Sequence, residues 1–238
     1  MAPRLPLLPG LRVLALEMTG YGQSIPAGRT RDVSLGAQAD RLNAWLDHLG
    51  INRAVLVGHD LGGGVVHIAA VRRPELCTGL LITNGGGDDS WPIPSVKAMR
   101  ASSSLLAHLP AIALQPALGI LLGRGHDTAA GAEEALGQHF RPYAEHGLGA
   151  AMARQVAALD VQDTLAVQDA LPTVKVPARI VWGVADPFQK LEYGERFARD
   201  LGTTVQRIEG GKHFTPEDHP AVIAAAIRDL PEEVAGRR

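Results

Sequence analysis

The chain has little cysteine, no excess of charge of either sign and no long apolar run, and each shortage excludes a class of protein. Its 238 residues contain one cysteine, Cys77, which excludes an internal disulfide and permits a reducing compartment. A formal net charge of -2 provides no basic surface for nucleic acid. No apolar run reaches the roughly 18 to 20 residues that span a bilayer, and residues 1–9 lack the apolar segment of a signal peptide. We therefore expect a cytoplasmic protein with no nucleic-acid or membrane partner.

Motifs for metal ions and for phosphate are absent as well. The nine histidines are scattered, without Cys or His partners at the spacing of a metal site. Gly62, Gly63 and Gly64 follow an apolar run, but the sequence there contains neither Gly-x-Gly-x-x-Gly nor Gly-Lys-Ser/Thr. We expect no metal and no cofactor.

The most informative part of the sequence is the stretch from Ala54 to Val66. An apolar run, Ala54–Val57, is typical of a buried strand, and the weakly polar stretch 62–71 favours a buried helix. Asp60 lies between them, with Gly58 and Gly62 two residues away on either side. Small residues at these positions permit a sharp turn that lifts the Asp60 side chain clear of the sheet, beside the free N–H groups of a helix N-terminus.

Two later motifs carry side chains that could act together with Asp60. Ile180-Val-Trp-Gly-Val-Ala-Asp186 predicts a strand followed by a turn with a carboxylate, and Gly210-Gly-Lys-His213-Phe predicts a loop with a histidine. The three motifs together resemble the nucleophile elbow, acid loop and histidine loop of the α/β-hydrolase superfamily, in its aspartate-nucleophile branch, which includes epoxide hydrolases and haloalkane dehalogenases. Their order along the chain is the order that this family uses.

The resemblance implies a mechanism and a role for each residue. An ionised Asp60 attacks a saturated carbon to form an alkyl ester, which water activated by His213 then hydrolyses. Asp186 orients the imidazole, and the backbone N–H of Leu61 stabilises the negative oxygen of the second step. Asp88 or Asp89, in the loop after the next strand, is an alternative acid, although Trp-Gly-x-x-Asp is the commoner pattern and favours Asp186.

The resemblance also implies an α/β fold with a mostly parallel sheet, flanking helices and an inserted helical lid. We assign residues 1–90 and 173–238 to the hydrolase core and residues 91–172 to the lid. The apolar patterns predict strands at Leu11–Leu16, Ala54–Val57, Gly79–Thr83, Arg179–Trp182 and Thr204–Ile208. They predict core helices from Ser34 to Gly50, from Lys190 to Leu201 and from Pro216 to about Leu230. Within the lid they predict helices at Ser95–Leu109, Ile112–Leu122, Ala132–Phe140 and Leu148–Ala158.

The substrate is expected to be a small apolar molecule, because the lid is rich in Leu, Ala and Ile. Haloalkane dehalogenases usually place a tryptophan donor directly after the nucleophile, where this chain has Leu61. Epoxide hydrolases use lid tyrosines, and Tyr143 is the single tyrosine of the predicted lid. We assign Tyr143, Trp91 and His59 to substrate binding and Tyr21 to packing near the elbow. These residues favour an epoxide narrowly over a haloalkane; a non-catalytic protein that binds an apolar ligand is the alternative.

The N-terminal part of the family's fold has no counterpart in this sequence. Relatives place further strands before the Gly20-Tyr21-Gly22 loop, including one that ends in His-Gly and supplies a second N–H to the reacting oxygen. Residues 1–10 are too few to encode them. The absent strand would leave a gap between the strands predicted at Leu11–Leu16 and Ala54–Val57, so either these two pair directly or the true start lies upstream. We favour an upstream start, and expect residues 1–238 alone to be poorly soluble or nearly inactive.

Overall fold

Four parallel strands form one sheet in the part of the chain that the computed structural model describes, residues 7–236. The strands lie side by side in chain order: β1 at Ala54–His59, β2 at Cys77–Thr83, β3 at Ala178–Gly183 and β4 at Val205–Ile208. Each strand is parallel to its neighbour. The carboxyl ends of all four therefore meet at one edge of the sheet, where open α/β sheets bind their ligands.

The α-helices of the described residues surround this sheet. They are α1 at Leu35–His48, α2 at Leu61–Arg72, α3 at Pro94–Ala101, α4 at Ser103–Leu106, α5 at Ala111–Gly125, α6 at Ala129–His146, α7 at Leu148–Ala157, α8 at Gln162–Gln168, α9 at Leu191–Asp200, α10 at Thr215–Asp218 and α11 at Pro220–Gly236. Short 3-10 helices lie at Gly22–Arg29 and Leu171–Thr173. The predicted α/β class and the four strands from Ala54 onward are confirmed.

Helix α1 has the start and stop that its sequence predicts. The Ser34 hydroxyl accepts a hydrogen bond of 3.3 Å from the N–H of Ala37, which satisfies one of the free donors of the first turn. Gly50, with φ at +66°, follows the last turn in the left-handed conformation that favours glycine. These local signals set the two ends of α1.

Alternate side chains of the strands build two apolar layers. Leu56, Leu80 and Ile180 pack with residues of α1 and α2 on one face of the sheet, and α9 adds Phe197 to the same cluster. On the other face, Leu81 and Val181 pack against α11. Burying one such side chain stabilises the fold by about 1.5 to 3 kcal/mol, so the two layers hold the strand ends that carry the polar residues rigidly in place.

The helices α3 to α8 all lie between β2 and β3 in the chain, in the region assigned to the lid. The predicted segments correspond in order to α3 with α4, to α5, to α6 and to α7, but α6 is longer than predicted at both ends and α8 was not predicted. They have an apolar cluster of their own, in which Leu106, Leu114 and Leu148 are buried. Helix α8 also contacts α1 and α2, so this helical region is anchored to the sheet domain.

The strand predicted at Leu11–Leu16 is wrong. These residues form no regular structure, and Val13, Leu14 and Leu16 expose 38 to 40% of their surface. An apolar run becomes a strand only where a neighbouring strand accepts its backbone hydrogen bonds, and within the described residues β1 pairs with β2 alone. The described sheet therefore has no gap in its middle: β1 is its edge.

The single helix predicted from Pro216 to Leu230 is also corrected. The structure has α10 and α11 instead, with a break at His219, whose φ of -126° and ψ of 50° are not helical. Pro220 explains the break, because proline disfavours the helical conformation of the residue before it.

Each helix within residues 7–236 is too short or too polar to span a bilayer.

Candidate active site

Asp60 sits at a strained turn between β1 and α2. Its φ of 49° and ψ of -122° are unusual for a residue with a side chain, and its carbonyl accepts a 3.0 Å hydrogen bond from Gly63. Gly58 is required here, because a Cβ at that position would lie 2.2 Å from the carbonyl oxygen of Gly62. A Cβ on Gly62 itself would meet nothing within 4 Å, so the second glycine of the motif is not needed for space. The turn leaves the Asp60 side chain 42% exposed.

The structure brings the three predicted triad residues together. The Nδ1–H of His213 donates to Oδ2 of Asp186 at 2.8 Å. The other ring nitrogen, Nε2, lies 3.6 Å from Oδ1 of Asp60, a distance too long for a hydrogen bond but short enough for an ion pair. The His213 side chain is 5% exposed and that of Asp186 1%. The imidazole therefore lies between two carboxylates, one sealed from solvent and one open to it.

This geometry shifts the pKa values of His213 and Asp60 in opposite directions. Burial alone would lower the pKa of His213, but the hydrogen bond to Asp186 and the proximity of Asp60 outweigh burial and raise that pKa to about 10. Burial alone would raise the pKa of Asp60, but His213 outweighs it, aided by His59 and by the backbone N–H of Leu61, and the pKa falls below its usual value. At neutral pH the resting site therefore holds an imidazolium beside an ionised Asp60.

Asn84 orients Asp186, a role that the sequence reasoning missed. It follows β2 directly, is fully buried, and donates from Nδ2 to Oδ2 of Asp186 at 2.6 Å. The N–H of Phe188 donates to the other oxygen, Oδ1, at 2.7 Å. With His213, Asp186 thus accepts three hydrogen bonds. The sequence could have indicated this role, because Asn84 directly follows a predicted strand. That strand pairs with the one before Asp60, and their carboxyl ends meet at the edge of the sheet where the site forms.

The alternative acids lie elsewhere. Asp88 and Asp89 both face Arg196, with nitrogen–oxygen distances of 3.8 Å and 3.0 Å. The Asp89 side chain is 64% exposed. Asp186, and neither Asp88 nor Asp89, is therefore the carboxylate that accepts the hydrogen bond from His213.

A cavity of about 140 Å³ opens beside Asp60 and His213. Its walls are mostly apolar, with Gln189 as a further polar residue; they comprise Leu61, Trp91, Pro92, Ile93, Val96, Leu121, Leu159, Phe188, Gln189 and Phe214. Both the sheet domain and the helices between β2 and β3 contribute side chains. The site is thus a small, largely apolar chamber with a carboxylate and an imidazole in its wall.

The three predicted substrate-binding residues lie in different places. Trp91 lines the cavity, but its indole N–H already donates to the hydroxyl of Thr164 at 2.9 Å. The hydroxyl of Tyr143 donates to the side-chain oxygen of Gln155 at 3.0 Å, and Tyr143 is not among the cavity-lining residues. His59 donates from Nε2 to the carbonyl of His213 at 2.8 Å, behind the site. None of the three presents a free donor to the cavity.

Tyr21, predicted to pack near the elbow, is partly buried. Its hydroxyl is buried and, among the described residues, has no hydrogen-bond partner. Burial, followed by the influence of Tyr143 and Asp60, raises the pKa of Tyr21 well above its usual value, so this phenol stays protonated.

The loop that carries His213 is tied to the end of α5. The carbonyl of Gly125 accepts hydrogen bonds from the N–H groups of His213 and Phe214, at 3.0 Å and 3.2 Å. The next residue, His126, stacks on the Phe214 ring at 4.4 Å and pairs with Asp218 at 3.0 Å. The position of His213 therefore depends on the helical region as well as on the sheet.

The described residues contain no group of three or more His, Cys, Asp or Glu side chains that could hold a metal ion. His59 hydrogen-bonds a backbone carbonyl, and His126 and His213 hydrogen-bond the carboxylates of Asp218 and Asp186.

A strained strand–turn–helix junction, with an imidazole and a second carboxylate supplied from the ends of later parallel strands, is the arrangement of an α/β-class hydrolase. The chain belongs to the alpha/beta hydrolase fold family, whose profile matches residues 1–220. It is 26% identical to the uncharacterized hydrolase YugF of Bacillus subtilis, across 92% of this chain and 79% of that protein. It is 35% identical to mouse epoxide hydrolase 4 over 85 residues, which are 36% of this chain and 22% of that protein.

Among solved structures, the chain is similar to an alpha/beta hydrolase fold protein from Burkholderia ambifaria, with a TM-score of 0.79 and 28% identity. That match covers 90% of this chain and 78% of the other. The chain spans 64% to 79% of the length of the first curated relatives that it matches. Family membership and these relatives support a hydrolase.

Proposed function

We propose that this hydrolase acts on small apolar alkyl electrophiles by forming an alkyl ester on Asp60. The observation that carries the proposal is the Asp60 carboxylate, which is exposed to an apolar cavity and lies 3.6 Å from Nε2 of His213. A serine nucleophile needs a base to remove its proton, whereas this carboxylate is already ionised. It can therefore displace a leaving group from a saturated carbon directly.

The second step is hydrolysis of that ester. Ester formation removes the charge of Asp60, which lowers the pKa of His213; the imidazolium then releases its Nε2 proton, to solvent or to the alkoxide of an opened epoxide, and can take a proton from water. The water attacks the carboxyl carbon, Asp186 stabilises the imidazolium, and the Leu61 N–H donates to the transient oxyanion. The imidazolium returns the proton taken from water to the alkoxide as the ester bond breaks, and the products are an alcohol, or a diol from an epoxide, and the restored Asp60 carboxylate.

The cavity supports a small substrate. Its volume of about 140 Å³ is close to that of an apolar cavity of about 150 Å³ that binds benzene in another protein. Leu121 and Leu159, from the helical region between β2 and β3, form part of its wall, which supports the proposal that residues 91–172 act as a lid. Alkyl chains of up to about six carbons fit this description.

Epoxides and haloalkanes are both candidate substrates. The partial match to an epoxide hydrolase favours an epoxide. The sequence-based case for an epoxide also depended on Tyr143 as an acid, and that hydroxyl is bonded to Gln155 away from the cavity. The donor that faces the leaving group must therefore be found among other residues.

Trapping of the ester tests the reaction class. His213→Gln keeps a side chain of similar polarity but removes the base, so incubation with a short bromoalkane or a short epoxide should add the mass of the alkyl or hydroxyalkyl group to the peptide that contains Asp60. Asp60→Ala is the control and should gain no mass. A folded His213→Gln protein that gains no mass with any probe would contradict the proposal and leave a non-catalytic ligand-binding protein.

A further inference from the structure

Four residues around the cavity have side chains that can make hydrogen bonds: Asp60, His213, Trp91 and Gln189. Asp60 and His213 are occupied by the proposed chemistry. The Trp91 N–H is committed to Thr164 at 2.9 Å. By elimination among the lining residues that the structure describes, Gln189 is the polar side chain available to a substrate.

Gln189 is held firmly and yet has an unpartnered amide oxygen. The residue is 3% exposed, and its side-chain oxygen has no hydrogen-bond partner in the described part of the chain. The indole of Trp182 donates to the backbone carbonyl of Gln189 at 3.0 Å. The preceding residue, Phe188, is fixed by its hydrogen bond to Asp186. A buried amide oxygen without a partner is costly in a folded protein, so the position of Gln189 in the cavity wall calls for an explanation beyond packing.

We propose that Gln189 is the leaving-group residue of this site and that its amide N–H stabilises a departing halide. This inference rests on the proposed function and deepens it. A carboxamide turns its oxygen and its NH₂ group toward either side by rotation of one bond, so the NH₂ group can face the cavity. It can donate a hydrogen bond, but it cannot transfer a proton.

That distinction selects the substrate. An oxygen of Asp60 forms a bond to the carbon, and the carbon–halogen bond breaks with both electrons leaving on the halide. The halide is a stable anion and needs only the hydrogen bond from Gln189. Water then cleaves the ester, and the net reaction is R–X + H₂O → R–OH + X⁻ + H⁺. An epoxide would leave an alkoxide that must gain a proton, which an amide does not supply. An amide therefore serves a halide better than an epoxide oxygen, which would need the proton of the His213 imidazolium beside Asp60, and we expect short chloroalkanes and bromoalkanes to be the substrates that depend on Gln189.

Single-turnover rates of ester formation test the assignment. Wild type, Gln189→Leu and the exposed control Gln206→Leu are mixed with 1-chlorobutane, 1-bromobutane and 1,2-epoxybutane, and alkylated Asp60 is counted by mass spectrometry. Gln189→Leu should lower the halide rates by about a hundredfold, the effect of removing one donor to developing negative charge, and the chloride rate more than the bromide rate. Bromide ion should inhibit the wild type and the control but not Gln189→Leu.

Thermal melts test whether a lower rate in Gln189→Leu is caused by unfolding. The variant removes an unpaired polar group, so its melting temperature should be no lower than that of wild type. Unchanged halide rates in a folded Gln189→Leu protein would overturn the inference. Faster wild-type reaction with the epoxide than with either halide, abolished by Tyr21→Phe, would also overturn it and make Tyr21 the proton donor. Absence of any adduct in the wild type and in His213→Gln would instead refute the proposed function itself.

Discussion

The raised pKa of His213 depends on the charge of Asp60, and the substitution Asp60→Asn tests this dependence directly. The variant keeps the shape of the side chain and removes the charge, as ester formation does. Two unit charges 3.6 Å apart interact by about 1 kcal/mol in water and about 4 to 5 kcal/mol at an effective dielectric constant of about 20. Asp60 is 42% exposed, so its environment lies between these limits.

The pKa of His213 should therefore fall from about 10 to between about 7 and 9 in Asp60→Asn. Titration of the ring by NMR, with His213→Gln used to assign the resonance, measures both values. An unchanged titration, or one near the ordinary histidine pKa of about 6.5 in wild type, would refute the coupling between nucleophile and base. Such a result would remove the reason why His213 becomes a base only after the ester has formed.

Three further expectations follow from the same geometry. Because the folded-state pKa of His213 is raised to about 10, its contribution to stability should be complete below about pH 6.5 and lost as the pH rises toward 10. Denaturant melts measure the free energy of unfolding of wild type and of His213→Gln at each pH. A difference between the two proteins that does not change with pH would mean that the pKa is unshifted. Asp186→Asn should lower kcat by about 10⁴-fold, as when the orienting acid of a triad is replaced, while Asp88→Asn, remote from the imidazole, should change it little; the reverse order would identify Asp88 as the acid. Gly58→Ala should destabilise the fold by about 1 to 3 kcal/mol or more, because its Cβ meets a carbonyl, whereas Gly62→Ala should be neutral or stabilising by about 0.5 to 1 kcal/mol; equal urea midpoints would contradict the account of the turn.

The strands and turns that the sequence predicted best are those with local causes. The elbow is encoded by consecutive residues, since Gly58 gives the space and Asp60 tolerates the strained conformation only because the strand and helix around it are well packed. The loops of Asp186 and His213 are encoded in the same way, by a short strand and a turn. Once the strands are parallel, the sheet brings these loops together, so the candidate triad could be predicted without knowledge of any contact.

The parts that could not be predicted depend on contacts between distant residues. Leu11–Leu16 has a strand-like composition, but a strand also needs a neighbouring edge, which local sequence does not reveal. Whether Tyr143 faces the cavity depends on the rotation of α6 and on Gln155, twelve residues away. The hydrogen bond from Asn84 to Asp186 and the place of Gln189 in the cavity wall depend on strands that are distant in sequence but lie side by side in the sheet.

In the proposed mechanism, Asp60 becomes covalently attached to the substrate before water enters the reaction. A single turnover in ¹⁸O-labelled water, with enzyme in excess over a short bromoalkane, separates this from direct attack of water on the substrate. The account predicts that the label enters the carboxylate of Asp60 and that the alcohol of the first turnover carries none. Label in the alcohol of the first turnover, with an unlabelled Asp60 peptide, would contradict it.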